Sequence, residues 1–184
     1  MSGALFAFLA TLLAALGARD QLLVAQISAR QGSRPSLLII AVLSSALCSA
    51  AAAWLATVFV AELPTVQARM VFAGLAMVLA GGEALLLGAK RPPEEPTHSL
   101  FAALLVLGAQ QITDAARFLI LALAMVTAAP LSAGMGGGAG SILALGLAWI
   151  APEIGTRPEL RKLRRLAGLF LLAAGAVLIG RGVT

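Results

Sequence analysis

The sequence predicts an all-α integral membrane protein with six transmembrane helices arranged as two inverted three-helix repeats. Three observations lead there. Of the 184 residues, 60% are hydrophobic and 11% charged, and the mean hydropathy is +0.99; a soluble domain does not have this balance. The apolar residues fall in runs mostly about 20 residues long, the length that crosses a bilayer as a helix. Most of these runs have no polar face of the kind a soluble bundle would show to water. Short polar or proline-bearing stretches then divide the runs into two groups of three.

The first span covers residues 3–28 and is interrupted by Arg19-Asp20. It is not a signal peptide, since residues 1–16 carry no basic group and the apolar character continues to Ile27. The polar segment 29–34 ends it. Pro35 opens the second span, where a missing N–H is no loss, and this span runs to about Val60. Its small-residue run, 44–53, lets another backbone approach closely. Glu62-Leu63-Pro64 makes a turn into the third span, 66–87. Residues 1–89 thus form the first repeat, and 90–98, with Pro92, Pro93 and Pro96, read as an exposed linker. The second repeat, 99–184, opens with a fourth span over 100–129. Pro130 and the glycines of 134–138 interrupt the chain before a fifth span, 139–150, which is short unless the glycines belong to it. A basic loop, 152–165, leads to the sixth span, 166–180.

An internal repeat supports this division. Ala73-Gly74-Leu75 followed by Ala80-Gly81 in the third span recurs as Ala167-Gly168-Leu169 followed by Ala174-Gly175 in the sixth, with the same internal spacing. Loop charge gives the orientation. Arg30, Arg34, Lys90, Arg91, Arg157, Arg161, Lys162, Arg164 and Arg165 lie on one side, and essentially Arg69 and Arg181 on the other. The basic side is cytoplasmic and both termini are outside. With three spans per half, the second half is inserted upside down relative to the first, as in many secondary transporters. Arginine outnumbers lysine eleven to two and alanine, leucine and glycine dominate, a composition that fits a GC-rich bacterium and its inner membrane.

Charge in the middle of a span is the next signal. Asp114 and Arg117 fall near the centre of the fourth span, and Arg19 and Asp20 interrupt the first at a comparable depth. A charged residue there costs about 2.5–3.5 kcal/mol on insertion scales, so such residues face the bundle interior and mark ion pathways. Two readings stand. Asp114 exchanges a cation for a proton as the repeats rock, tuned by Arg117 or Arg19; or Asp114 and Arg117, three residues apart on one helix, form an ion pair that only fixes packing.

The stretches around these charges carry a family resemblance. The chain resembles the small cation/proton exchangers that include the Golgi manganese and calcium transporter, transmembrane protein one-six-five, and its yeast relative Gdt. Each repeat of that family has Glu-x-Gly-Asp-(Lys/Arg)-(Ser/Thr) in its first helix, usually followed by Gln. Here the first copy aligns with Ala15-Leu16-Gly17-Ala18-Arg19-Asp20-Gln21, where Gly17, Arg19 and Gln21 match and both acidic positions are alanine. The second aligns with Gln111-Ile112-Thr113-Asp114-Ala115-Ala116-Arg117, where Asp114 matches and Gln111 replaces Glu. The resemblance implies a transported divalent cation at a midplane site. Asp114 and Asp20 would be its carboxylates, Gln111, Thr113 and Gln21 its neutral oxygen donors, and Arg19 and Arg117 would tune the charge. Hard cations want several oxygen ligands, and this chain has fewer carboxylates than the family pattern. A changed substrate, including an anion, or a second subunit in a homo- or hetero-oligomer would account for that.

Other residues point elsewhere. Glu83, toward one end of the third span, is expected to snorkel to the interface. Cys48 is the one cysteine, so no intramolecular disulfide or four-cysteine metal site forms. His98 lies in the linker and reads as a surface residue. The glycine run lacks the Lys-Ser/Thr of a phosphate loop. The basic segment 157–165 marks the cytoplasmic face and touches anionic lipid rather than nucleic acid. An enzyme is not expected, because there is no Ser–His pair or His-Glu-x-x-His motif, and no resident cofactor is expected. The partners are the bilayer, the transported ion and the proton.

Overall fold

The computed structural model describes residues 2–87, 99–153 and 157–184, and every regular element among them is helical. The elements are α1 (Ser2–Ala15), α2 (Arg19–Gln31), α3 (Pro35–Glu62), α4 (Val66–Leu86), α5 (Leu100–Ile112), α6 (Ala115–Thr127), α7 (Pro130–Ile150) and α8 (Pro158–Val183). α3, α4, α7 and α8 are each long and apolar enough to cross a membrane. The pairs α1–α2 and α5–α6 qualify only together, as spans bent by 61° and 49°, which makes four spans or up to six. The linker 90–98, with His98, lies outside the described residues, as does 154–156 of the predicted basic loop.

Both bends have a local cause. After α1 the chain passes through Gly17 at φ +75°, a left-handed conformation natural to glycine. The Gln21 side-chain carbonyl accepts the freed Gly17 N–H at 2.6 Å. α2 then restarts from Ala18, which is extended and offers no side-chain cap. The second bend corrects the expectation of an unbroken fourth span. Asp114 is extended (φ −83°, ψ 148°) and its Oδ2 accepts from Ala116 N at 3.3 Å. Aspartate is among the best N-caps, and its charge also suits the positive end of the helix dipole. The residue read as a charge within one helix therefore ends one helix and starts the next.

The glycine run does belong to the fifth span. α7 starts at Pro130, in the first turn where proline is tolerated, and runs through Gly134, Gly136, Gly137, Gly138 and Gly140. A Cβ on Gly136 would strike the Ala4 carbonyl, one on Gly140 the Phe8 carbonyl, and one on Gly134 the Ala53 Cβ. These glycines cost helix propensity but let α1 and α3 lie directly on α7, as small residues do in membrane interfaces. The small-residue run of α3 meets them there: Gly138 faces Ser49.

α8 also starts earlier than expected, at Pro158, so the basic segment forms its first turns. It crosses α4 in antiparallel fashion. A Cβ on Gly81 would stand 2.6 Å from the Gly168 carbonyl oxygen, and one on Gly74 would stand 2.6 Å from that of Gly175. α4 packs mainly on α8 and α6, and α1 mainly on α7, so the two predicted repeats interleave. The outer surface carries apolar side chains such as Leu47, Trp54, Phe101 and Phe170, while Thr11, Gln21, Ser44, Ser45, Gln111 and Ser141 are buried. Polar groups inside and apolar groups outside are what a lipid solvent favours.

Candidate functional site

The two helix breaks come together inside the bundle. α5 and α6 have 13 residues each, so the break between them lies about 20 Å of helix from either end. Three carboxylates and three guanidinium groups gather around it: Asp20, Glu83 and Asp114 with Arg19, Arg117 and Arg164, all buried except Arg19, which is partly so. Their formal charges sum to zero.

Glu83 is the hub, and this corrects the expectation that it snorkels to the interface. Its side chain is 3% exposed. Oε1 accepts from Arg19 Nε at 2.9 Å, and Oε2 accepts from Arg164 Nη2. The reason is geometric: Glu83 continues the buried stripe of Ala73, Ala76 and Ala80 on α4, whose neighbours on α6 include Ala122 and Met125, and the close α4–α8 approach at the glycine seam brings Arg164 within its reach.

Each of these guanidinium groups sits among oxygens supplied by the end of a broken helix. Arg19 Nη2 donates to Thr113 O at 3.4 Å and Thr113 Oγ1 at 3.2 Å, and Thr113 is the C-cap of α5. Arg164 Nη1 donates to Ala14 O at 3.4 Å, in the last turn of α1, while its Nη2 stands 4.0 Å from Asp114 Oδ1. Helix C-termini present unpaired carbonyls and the negative end of the dipole, so both pockets favour a positive charge. Asp114 Oδ1 has no hydrogen-bond partner although Asp114 is 2% exposed. Asp114 also experiences Asp20 and Glu83 as like charges and Arg117 and Arg164 as counter-charges.

Asp114 and Arg117 do not form the ion pair of the packing-only reading. Capping turns the Asp114 carboxylate back onto its own helix start. Arg117 points across to Ser141 Oγ (2.8 Å) on α7 and Ser45 Oγ (3.0 Å) on α3, leaving Nε without a partner. The remaining predicted donors are divided. Asp20 Oδ1 accepts from Gln21 N at 2.8 Å in the first turn of α2. Gln21 uses its amide on Gly17 N and Ala144 O, tying the break to α7. Gln111 Oε1 accepts from Ser44 Oγ at 2.7 Å, and its Nε2 is unpaired. Thr113 and Asp114 therefore adjoin the Glu83 cluster, whereas Gln21 serves the fold. Among the described residues, no three acidic, histidine or cysteine side chains stand close enough to hold a metal ion by themselves.

Arg164 is the member of the cluster that sequence reasoning missed, because it lies in a run of basic residues read as a loop. Its register was the available signal. Arg164, Gly168, Leu171 and Gly175 repeat at the spacing of one helix face, and all four are buried.

A cleft of about 640 Å³ reaches the cluster between the C-terminal half of α4, α8 and the α5–α6 break. Its lining includes Gly82, Glu83, Leu86, Thr113, Phe118 and Leu172. The chain matches no protein-family model, no curated protein and no solved structure.

Proposed function

We propose that the chain is a secondary transporter of inverted-repeat architecture that exchanges a divalent cation, manganese or calcium, for protons across a bacterial inner membrane. The observation that carries this reading is the convergence of two helix breaks with the buried carboxylates Glu83, Asp114 and Asp20. In transporters built from inverted repeats, discontinuous helices meet near the midplane, and their carbonyl ends and side chains hold the coupling ions.

The α4–α8 crossing supports the repeat. The sequence alignment equates Gly74 with Gly168 and Gly81 with Gly175. Exchanging equivalents turns the observed contact of Gly74 with Gly175 into that of Gly168 with Gly81, which is the other observed contact. Self-mapping pairs of this kind are the signature of a two-fold axis. The motif alignment also equates Ala18 with Asp114, and both are N-cap residues of a restarted helix.

Departures from symmetry support alternating access. α6 packs along α4, while its counterpart α2 has no comparable contact with α8. With the basic loops in the cytoplasm, the outer half is shut around α4 and α6, and the cleft beside Glu83 opens on the cytoplasmic side. Rocking of the repeats would close that cleft and open its counterpart. The cation is held by Glu83, Thr113 and Asp114, and the Asp114 oxygen that makes no hydrogen bond takes the proton when the cation leaves.

Uptake of radioactive manganese or calcium into proteoliposomes tests the reading. Uptake that grows with an imposed pH gradient and is lost in Asp114→Asn is the expected result; no uptake of either ion contradicts it. A second reading is favoured by the saturation of Glu83, whose two oxygens are each taken by an arginine. On that reading the cluster is a structural network in a non-transporting or accessory protein.

A further inference from the structure

The Arg19 guanidinium occupies a place that has the chemistry of a cation site. Its contacts are Glu83 Oε1 at 2.9 Å, Thr113 Oγ1 at 3.2 Å and Thr113 O at 3.4 Å: one carboxylate, one hydroxyl and one helix-terminal carbonyl oxygen. Oxygens of these three kinds are what hard cations take as ligands, with water filling the remaining positions. A fourth oxygen, Asp114 Oδ1, lies on the next residue, is buried, and has no hydrogen-bond partner.

The two guanidinium groups on Glu83 are not held alike. Arg164 is buried at 7% side-chain exposure against Glu83, the Ala14 carbonyl and the Asp114 carboxylate. Arg19 is 14% exposed, and the two residues it bridges, Glu83 and Thr113, both line the 640 Å³ cleft. The rest of the cleft lining is apolar, so an arginine that leaves Glu83 lays its stem along the leucines and carries its head toward the polar interface. Arg164 has no such exit.

We propose that the Arg19 guanidinium is a tethered counter-cation, and that the transported ion binds by displacing it from Glu83 and Thr113. This deepens the cation-exchange reading and rests on it. The swap selects for charge. A monovalent ion would replace one positive charge by another and gain little, whereas a divalent ion brings a second charge to Glu83. Next in sequence to Thr113 is Asp114, whose Oδ1 makes no hydrogen bond and stands 4.0 Å from Arg164 Nη2. In the empty protein the arginine keeps Glu83 from standing uncompensated inside the bundle.

The test is ion-dependent thermal unfolding of the purified full-length protein, titrated with manganese, calcium or potassium. Arg19→Gln is expected to lower the divalent concentration for half-maximal stabilisation by about ten-fold, equivalent to about 1.4 kcal/mol, with Glu83→Gln unresponsive and potassium without effect in all. A response seen only in Arg19→Gln also supports the proposal, since the guanidinium then outcompetes the ion. Equal midpoints for wild type and Arg19→Gln overturn the proposal and leave cation exchange standing. No divalent response in either protein overturns both. Should Arg19→Gln fold poorly, phenylglyoxal labelling of the wild-type protein read by peptide mass replaces it. Manganese should speed modification of Arg19 several-fold, and an unchanged or slower rate overturns the displacement.

Discussion

Replacing Glu83 with glutamine keeps the side chain's shape and removes the one carboxylate that touches two guanidinium groups. The cluster then changes from three acids against three arginines to two against three. Taking one partner from a buried ion pair costs about 3–5 kcal/mol, because the other charge is left uncompensated. Some of this is recovered here. Arg19 keeps both Thr113 oxygens, and Arg164 keeps the Ala14 carbonyl and has Asp114 at 4.0 Å. A loss of about 3 kcal/mol, the low end of the range, is therefore expected. Reversible unfolding in mixed detergent micelles, followed by helical circular dichroism, measures it. Adding Arg164→Gln restores the balance of two acids and two arginines, so the double variant should be more stable than the sum of the single losses, with a coupling of about 1–3 kcal/mol. A Glu83→Gln loss below about 0.5 kcal/mol, the range of ordinary surface substitutions, would mean that Glu83 is solvated. The hub described here would then be wrong.

Three further outcomes are expected. Asp114→Asn retains a good N-cap, so its stability should change by less than about 1 kcal/mol, while proton-linked flux disappears; loss of folding and flux together in the same micelle unfolding assay would point to a structural role. Gly81→Ala should destabilise by about 1–3 kcal/mol through overpacking against the Gly168 backbone, partly offset by helix propensity. Gly82→Ala, which would meet nothing within 4 Å, should be neutral or stabilising by up to about 1 kcal/mol; equal melting temperatures for the two variants would contradict the α4–α8 seam. Gln21→Ala leaves the Gly17 N–H without its acceptor and cuts the tie to the Ala144 carbonyl, and chemical denaturation should register a loss of about 1–3 kcal/mol.

Spans were the most legible feature of the sequence because bilayer thickness imposes length and apolarity together. The starts at Pro35 and Val66 agree with the structure, and the interruption at Arg19-Asp20 falls where α2 begins. The break at Asp114 was hidden because an aspartate in an apolar run looks the same whether it projects from a helix or caps one. The glycines of α7 were read as a breaker because intrinsic propensity is local, whereas their use is tertiary: they make room for α1 and α3. Long-range pairing was the least legible. Asp114 and Arg117 are close in sequence and look like partners, yet Asp114 turns to its own helix start and Arg117 reaches for serines on α3 and α7. Glu83 meets arginines sixty-four and eighty-one positions away. Three of the predicted site residues, Arg19, Thr113 and Asp114, do adjoin the Glu83 cluster.

Cation-for-proton exchange is most directly tested by internal pH in proteoliposomes that carry a trapped fluorescent indicator. With no gradient imposed at the start, external manganese or calcium should alkalinise the lumen as the cation enters and protons leave, in wild type but not in Asp114→Asn or Glu83→Gln. Cation entry with no change of internal pH would contradict coupling to protons, and neither cation entry nor a pH change would leave the six central charges a purely structural network.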